Sequence, residues 1–192
     1  PENLDVEGLL KGIYLFQQGP KQRKKVAQIL ASGVGMNWAL KAAKLLESDW
    51  GVSASVWSVP SWNELRRDGL AVDRHNFLNP ADQRTAYVAK KLANAEGPVI
   101  AVSDYMRAVQ DQIAPWVSQD FTSLGTDGFG LSDTRGALRR HFKVDAESIV
   151  IATLAALAKS GDVKAGVVQD AINKYQINDI NAADPGNTEG SG

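Results

Sequence analysis

The sequence predicts an α/β fold, a three-layer α/β/α sandwich around a mixed five-stranded sheet. Two observations carry this. Five short β-rich runs are separated, after the second, by segments of helical period, the pattern of parallel strands joined by crossover helices. The connection over residues 17–25, between the first two runs, is too short for a crossover helix, so the sheet opens antiparallel and hairpin-like. A chain of 192 residues suffices for one well-buried core. Residues 1–180 are read as one domain, and residues 181–192, small, polar and glycine-rich, as a flexible tail.

In chain order, a short helix is expected over residues 6–11, then a first strand over 12–16. Lys21, Arg23, Lys24 and Lys25 form a basic run, read as a solvated turn because no aromatic platform lies beside it. The second strand covers residues 26–31. A helix follows Gly35, with Ala39, Ala42, Ala43, Leu46 and Trp50 at helical spacing and Gly51 as a left-handed cap. The third strand, residues 52–60, sends Ala54, Val56 and Ser58 to one face and Ser55, Trp57 and Val59 to the other. Ser61 caps a helix over residues 62–68.

Residues 69–85 read as loops because of Gly69, Asn76, Asn79, Pro80 and Asp82, with His75, Phe77 and Leu78 pinning them to the body. A helix over 85–95 precedes the fourth strand, residues 99–102. Ser103 and Asp104 then cap a helix starting near Tyr105 that Pro115 and Trp116 end. The last strand is residues 121–124. Ser132 is placed to cap a short helix and Asp133 to meet its dipole, while Asp145 caps the apolar helix over 146–158. A final stripe runs through Val163, Val167, Val168, Ala171, Ile172 and Tyr175.

Composition excludes several classes. A net charge of −1 gives no basic field to attract nucleic acid or an anionic membrane, and no apolar run is long enough to span a bilayer. Without cysteine there are no disulfides or thiolate metal sites, which fits a cytoplasmic protein. The two histidines, His75 and His141, stand far apart and read as structural and surface residues. No paired carboxylates and no nucleophile elbow stand out. The start at Pro1, without methionine, reads as a cut inside a longer protein.

Two places attract chemistry. Ser32-Gly-Val-Gly35 joins a strand to a helix start, a generic anion site, yet Trp38 stands where a dinucleotide fingerprint needs its third glycine. Open parallel sheets bind ligands where successive connections leave in opposite directions. Ser32, Gly33, Ser103 and Asp104 are the residues expected to line such a small-ligand crevice. The tryptophans at 38 and 62 are candidates for interface anchors, core packing being their ordinary use.

The second place is Gly125-Thr-Asp-Gly-Phe-Gly-Leu-Ser-Asp-Thr134, where three glycines within six residues let the backbone turn sharply, through positive φ. With Glu7-Gly-Leu-Leu-Lys-Gly-Ile-Tyr14, Leu30-Ala-Ser-Gly33, Trp57-Ser-Val-Pro-Ser-Trp62, Arg67-Asp-Gly69 and Val102-Ser-Asp-Tyr105, it makes an ordered set covering nearly the whole chain. The set resembles the transketolase C-terminal domain, and within that superfamily the homodimeric, thiamine-diphosphate-dependent pyruvate dehydrogenases. Gly125, Asp127, Phe129, Gly130 and Ser132 carry the signature.

The resemblance implies strand order 1-3-2-4-5 with the first strand antiparallel. It implies an intact cytoplasmic enzyme that decarboxylates pyruvate on thiamine diphosphate and reductively acetylates the lipoyl group of a dihydrolipoyl acyltransferase. Thiamine diphosphate and Mg²⁺ belong to the two preceding domains of such enzymes. No catalytic, cofactor-binding or metal residue therefore carries over to this chain. Its implied role is dimerisation and complex assembly. Its implied partners are the remaining domains of the polypeptide, a homodimer partner and the acyltransferase. The competing reading is a free-standing doubly wound module binding a small anion at the Ser32/Ser103 crevice.

Overall fold

The computed structural model describes residues 4–21 and 24–183. The expected flexible tail from residue 184 onward, and Arg23 of the basic run, lie outside the described residues. Five strands, β1 (Tyr14–Gln17), β2 (Val26–Ala31), β3 (Ser53–Ser58), β4 (Val99–Val102) and β5 (Phe121–Leu124), form one sheet in the order β1-β3-β2-β4-β5. The β2–β3, β2–β4 and β4–β5 pairs are parallel, and β1 runs antiparallel to β3.

β1 is thus antiparallel as expected, but the hairpin-like start is not. Its neighbour is β3, and the connection to β2 arches across β3. Gly19 makes that crossing possible, because a Cβ there would lie 2.5 Å from Ser53 Oγ and 2.9 Å from the Ala54 carbonyl carbon. Its N–H donates to Ser55 Oγ at 3.0 Å.

Eight helices flank the sheet among the described residues: α1 (Val6–Lys11), α2 (Gly35–Trp50), α3 (Trp62–Leu78), α4 (Tyr87–Leu92), α5 (Arg107–Asp111), α6 (Arg135–His141), α7 (Ala146–Lys159) and α8 (Ala165–Lys174). Strand alternation divides the core in two. Ile29, Ala31, Ala54, Val56, Ile100 and Val102 meet the apolar faces of α2, α7 and α8. Leu30, Trp57, Val59, Val99 and Ala101 meet α3 and α4 on the other face. Local chemistry sets several helix ends: Asp5, Ser61 and Asp145 accept from the N–H groups of Gly8, Glu64 and Ser148. Gly51 (φ 64°) closes α2 in the left-handed region.

The largest departure from expectation is α3, which runs through Leu78 instead of stopping at residue 68. Gly69 is no breaker there. It lies mid-helix against Trp116, whose ring atoms would stand 2.4 Å from an added Cβ. Asn76 serves the returning loop, accepting from the Arg84 N–H at 2.7 Å and donating to the Arg84 carbonyl at 2.9 Å. Phe77 and Leu78 pin nothing: Phe77 is 85% exposed. His75 does hold that loop, its Nε2 lying 2.8 Å from the Asp82 carbonyl.

α6, α7, α8 and the last described turn, Ile180–Ala182, close over a buried ion network. Arg140 pairs with Asp145, donates to the Tyr175 and Gln176 carbonyls at 3.1 and 3.3 Å, and lies 3.5 Å from Glu147. Tyr175 also ties α8 to α2, accepting from Trp50 Nε1 and donating to Asp49, each at 2.9 Å. Burial raises the phenol of Tyr175 well above its ordinary pKa.

Candidate functional site

Three connections meet at the C-terminal ends of the parallel strands: residues 32–34 after β2, 103–106 after β4 and 125–134 after β5. The connection after β2 leads to α2 on one face of the sheet, and that after β4 leads to α5 on the other. A crevice opens where they part. Asp104 Oδ1 lies 3.5 Å from where a Gly33 Cβ would stand, so Gly33 and Asp104 face each other across it.

Both serines are spoken for. Ser32 Oγ accepts from Trp62 Nε1 at 3.0 Å, and Ser103 Oγ, fully buried, accepts from the Tyr105 N–H at 2.9 Å. The first N–H groups of α2 turn back on the carbonyls of Ser32, Gly33 and Val34. What faces the crevice is the Asp104 carboxylate. Trp62, 3% exposed, is a core residue anchored by Ser32. Replacing Ser32 with alanine orphans that indole N–H and is expected to cost about 1–3 kcal/mol, read as a lower urea midpoint at unchanged slope.

Ser103 caps a turn, not a helix. α5 starts later, at Arg107, with Met106 at the capping position and no side-chain cap of its own there. Its first N–H is satisfied from another connection: Asp127 accepts from Arg107 N–H at 2.9 Å and from Arg107 Nε. Thr126 completes the tie, its N–H donating to the Tyr105 carbonyl at 2.9 Å and its hydroxyl to the Asp104 carbonyl at 2.7 Å. Gly125 sits where these backbones nearly touch, since a Cβ would lie 2.4 Å from the Tyr105 oxygen. Close approach is what requires this glycine. Of the three glycines in this loop, Gly128 is the one with positive φ, 96°.

The hydrogen bonds of Arg107 hold the Asp127 carboxyl below the usual carboxylate range. A lowered folded-state pKa contributes order that is complete above the unfolded value and is lost as pH falls through the folded one. An NMR titration of the Arg107 amide is expected to show one midpoint below the ordinary aspartate pKa. Asp127→Asn should abolish it.

Beyond Gly128 the loop displays rather than buries its side chains. Phe129 is 96% exposed, Leu131 is exposed, and so are Tyr105, Met106 and Val34 on the adjoining connections. Gly130 has open space around it. Ser132 is exposed and does not cap α6; Thr134 does, accepting from the Ala137 N–H at 3.3 Å. Asp133 accepts from the Thr134 N–H at 2.6 Å, one residue ahead of the helix. Beside the crevice lies an apolar pocket of about 230 Å³ walled by Val34, Trp38, Leu138, Phe142 and Val144. Trp38 is half-buried, with the Arg139 guanidinium 4.2 Å above its ring. Arg107 escaped the sequence reading, and the bonds that Tyr105 and Thr126 make stayed hidden inside their motifs, because the partners are tertiary.

Among the described residues no group of three His, Asp or Glu side chains comes together to hold a metal ion, and no helix is long and apolar enough to cross a membrane. The described residues bring together no carboxylate cluster that would hold Mg²⁺ with a diphosphate.

A family model of the transketolase-like TK C-terminal domain matches residues 12–145. The pyruvate dehydrogenase E1 component of Mycolicibacterium smegmatis is 56% identical over 184 residues, covering 95% of this chain and 20% of that protein. The protein of the same name from Mycobacterium tuberculosis is 52% identical over 192 residues, covering 97% and 21%. That from Escherichia coli K12 is 42% identical over 179 residues, covering 92% and 20%. The chain spans about a fifth of the length of these relatives. Among solved structures, Pichia stipitis transketolase with sedoheptulose 7-phosphate aligns at TM-score 0.56 and 23% identity, over 84% of this chain and 20% of that one. A split-gene transketolase, described as an inactive β4 tetramer, aligns at 0.54 and 21%, over 77% and 43%. These likenesses agree on the fold, and the matched residues 12–145 run from the turn before β1 to the cap of α7, taking in the whole sheet and the signature loop. The chain belongs to the transketolase-like C-terminal domain family.

Proposed function

We propose that this chain is the C-terminal domain of a cytoplasmic, thiamine-diphosphate-dependent pyruvate dehydrogenase, and that its own part is dimerisation and complex assembly. The whole enzyme decarboxylates pyruvate and reductively acetylates the lipoyl group of a dihydrolipoyl acyltransferase. The preceding domains of the polypeptide hold thiamine diphosphate and Mg²⁺. The observation that carries the reading is the 56% identity, across 95% of the chain, to a protein named pyruvate dehydrogenase E1 component.

The side chains support a structural role. Several carboxylates are engaged in caps and ion pairs, as Asp145 is with Arg140 and Asp127 with Arg107. His141 packs edge-on against Phe142 at the end of α6. An assembly role has a parallel in the split-gene transketolase, whose β chains form a tetramer that is inactive.

The test is a domain exchange. Substituting this chain for the matching segment of the Mycolicibacterium smegmatis relative is expected to yield an oligomeric protein that still oxidises pyruvate. Deleting that segment should lose assembly. A folded exchange protein that neither assembles nor oxidises pyruvate, or measurable thiamine diphosphate binding by this chain alone in calorimetry with Mg²⁺, would overturn the reading.

A further inference from the structure

We infer that the outward face of α3 docks an acidic amphipathic helix of a partner protein, which lays its apolar stripe over Leu70 and Phe77. The inference goes beyond the assembly reading and stands whether or not the chain dimerises.

The fold has already used the inner face of α3. Trp62, Leu65 and Gly69 are buried against the body. Two of the helix's acids are spent on the domain itself: Asp68 accepts from the Tyr87 N–H at 2.6 Å, and Asp73 from Trp116 Nε1 at 3.0 Å. The outer face carries what remains. Leu70, Phe77 and Leu78 are exposed there, and so are Arg66, Arg67 and Arg74. Arg67 reaches back to Glu64 at 2.9 Å, whereas Arg66 and Arg74 pair with no side chain among the described residues.

One exposed apolar side chain is ordinary, but the spacing of these is not. Leu70 and Phe77 stand seven residues apart, as do Arg67 and Arg74. At about 3.6 residues per turn, Arg66 falls on one flank of the Leu70–Phe77 line and Arg67 and Arg74 on the other. A seven-residue apolar repeat flanked by charge is a surface on which a second helix packs, its side chains seated in the spaces along the repeat. Cations on both flanks select a partner with carboxylates on both flanks, because like charges there would oppose the contact. A bilayer calls for a broad apolar face, and that face of α3 is turned inward. Nucleic acid would leave the apolar pair unused, and the chain as a whole carries a net charge of −1.

Fluorescence anisotropy tests this with a labelled peptide of about three heptads, leucine at a and d and glutamate at e and g, beside a twin with lysine for every glutamate. The 192-residue chain is expected to bind the glutamate peptide and not its twin, and to release it at high salt. Phe77→Asp should weaken binding about tenfold or more. The Arg66→Glu/Arg74→Glu variant should exchange the preference and take the lysine peptide. All three positions are exposed, so both variants should keep the wild-type circular dichroism and melting temperature. No binding, equal affinity for the two peptides, or unchanged affinity in both variants overturns the inference. So does cosedimentation with phosphatidylglycerol vesicles in place of peptide binding, or self-association that Phe77→Asp abolishes, which would put a second copy on the face. Binding by this chain that is lost in the domain-exchange protein would show the rest of the polypeptide covering α3, and overturns it too. The assembly reading survives each of these results, since the exchange protein tests it separately.

Discussion

Replacing Arg140 with methionine is expected to destabilise the fold by about 3–5 kcal/mol, the loss usual when one partner of a buried ion pair is removed. Its side chain is 1% exposed and that of Asp145 5%. The guanidinium is shared between Asp145, Glu147 and the carbonyls of Tyr175 and Gln176. Methionine keeps much of the volume but leaves one Asp145 oxygen and the Tyr175 and Gln176 carbonyls without their guanidinium donor. For a chain of this size the melting temperature should fall by about 6–20 °C. Asp145→Asn separates two contributions, since the amide oxygen still caps α7 through the Ser148 N–H while the charge is gone. If the buried charge is what matters, the Arg140→Met/Asp145→Asn double variant recovers part of the single-variant loss. Additive losses in that cycle would show instead that the carbonyl contacts dominate.

The same region shows what a sequence reveals and what it hides. Asp145 announces itself as a cap because its partner is three residues away, and the apolar run behind it announces a buried helix. Nothing local announces that Arg140 belongs inside, for a basic residue near a helix end ordinarily faces water. The edges of β2, β4 and β5 were readable for a similar reason, each being a short β-rich run bounded by glycine, proline or polar residues. α3 was not. Gly69 and Asn76 read as breakers by propensity, and only the Trp116 ring packed on Gly69 and the Arg84 backbone held by Asn76 show why the helix continues.

That Gly33 and Asp104 come together at the strand ends follows from the strand order, which the family resemblance implied. Their chemistry could not be read in that way. The serines that make the stretch look like an anion site spend their oxygens on Trp62 and on the Tyr105 amide, contacts that no spacing encodes. The signature loop divides the same way. Its glycines mark a turn, whereas the reason for Gly125 lies in the 105–107 backbone, some twenty residues earlier in the chain.

Gly97→Ala is the second substitution expected to act strongly, at about 2–5 kcal/mol from the sum of left-handed strain and overpacking. Gly97 has φ 82°, and a Cβ on it would stand 2.0 Å from the carbonyl oxygen of Val26, the first residue of β2. No rotamer relieves this, because the obstacle is backbone in the middle of the sheet. Gly51→Ala isolates the strain. Its φ is 64°, with nothing within 4 Å of the added atom, so it should lose only about 1–2 kcal/mol. Equal losses for the two variants in urea unfolding would remove crowding from the account. The position matters for the strand-end pocket as well. Gly97 and Pro98 deliver β4 into register beside β2, where the Gln28 N–H bonds the Pro98 carbonyl at 2.9 Å and Ala31 ends opposite Val102. That pairing alone brings Gly33 and Asp104 face to face at the far end of the strands. A methyl group at one end of the β2–β4 seam therefore disturbs the geometry of the pocket at the other, without touching any residue that lines it.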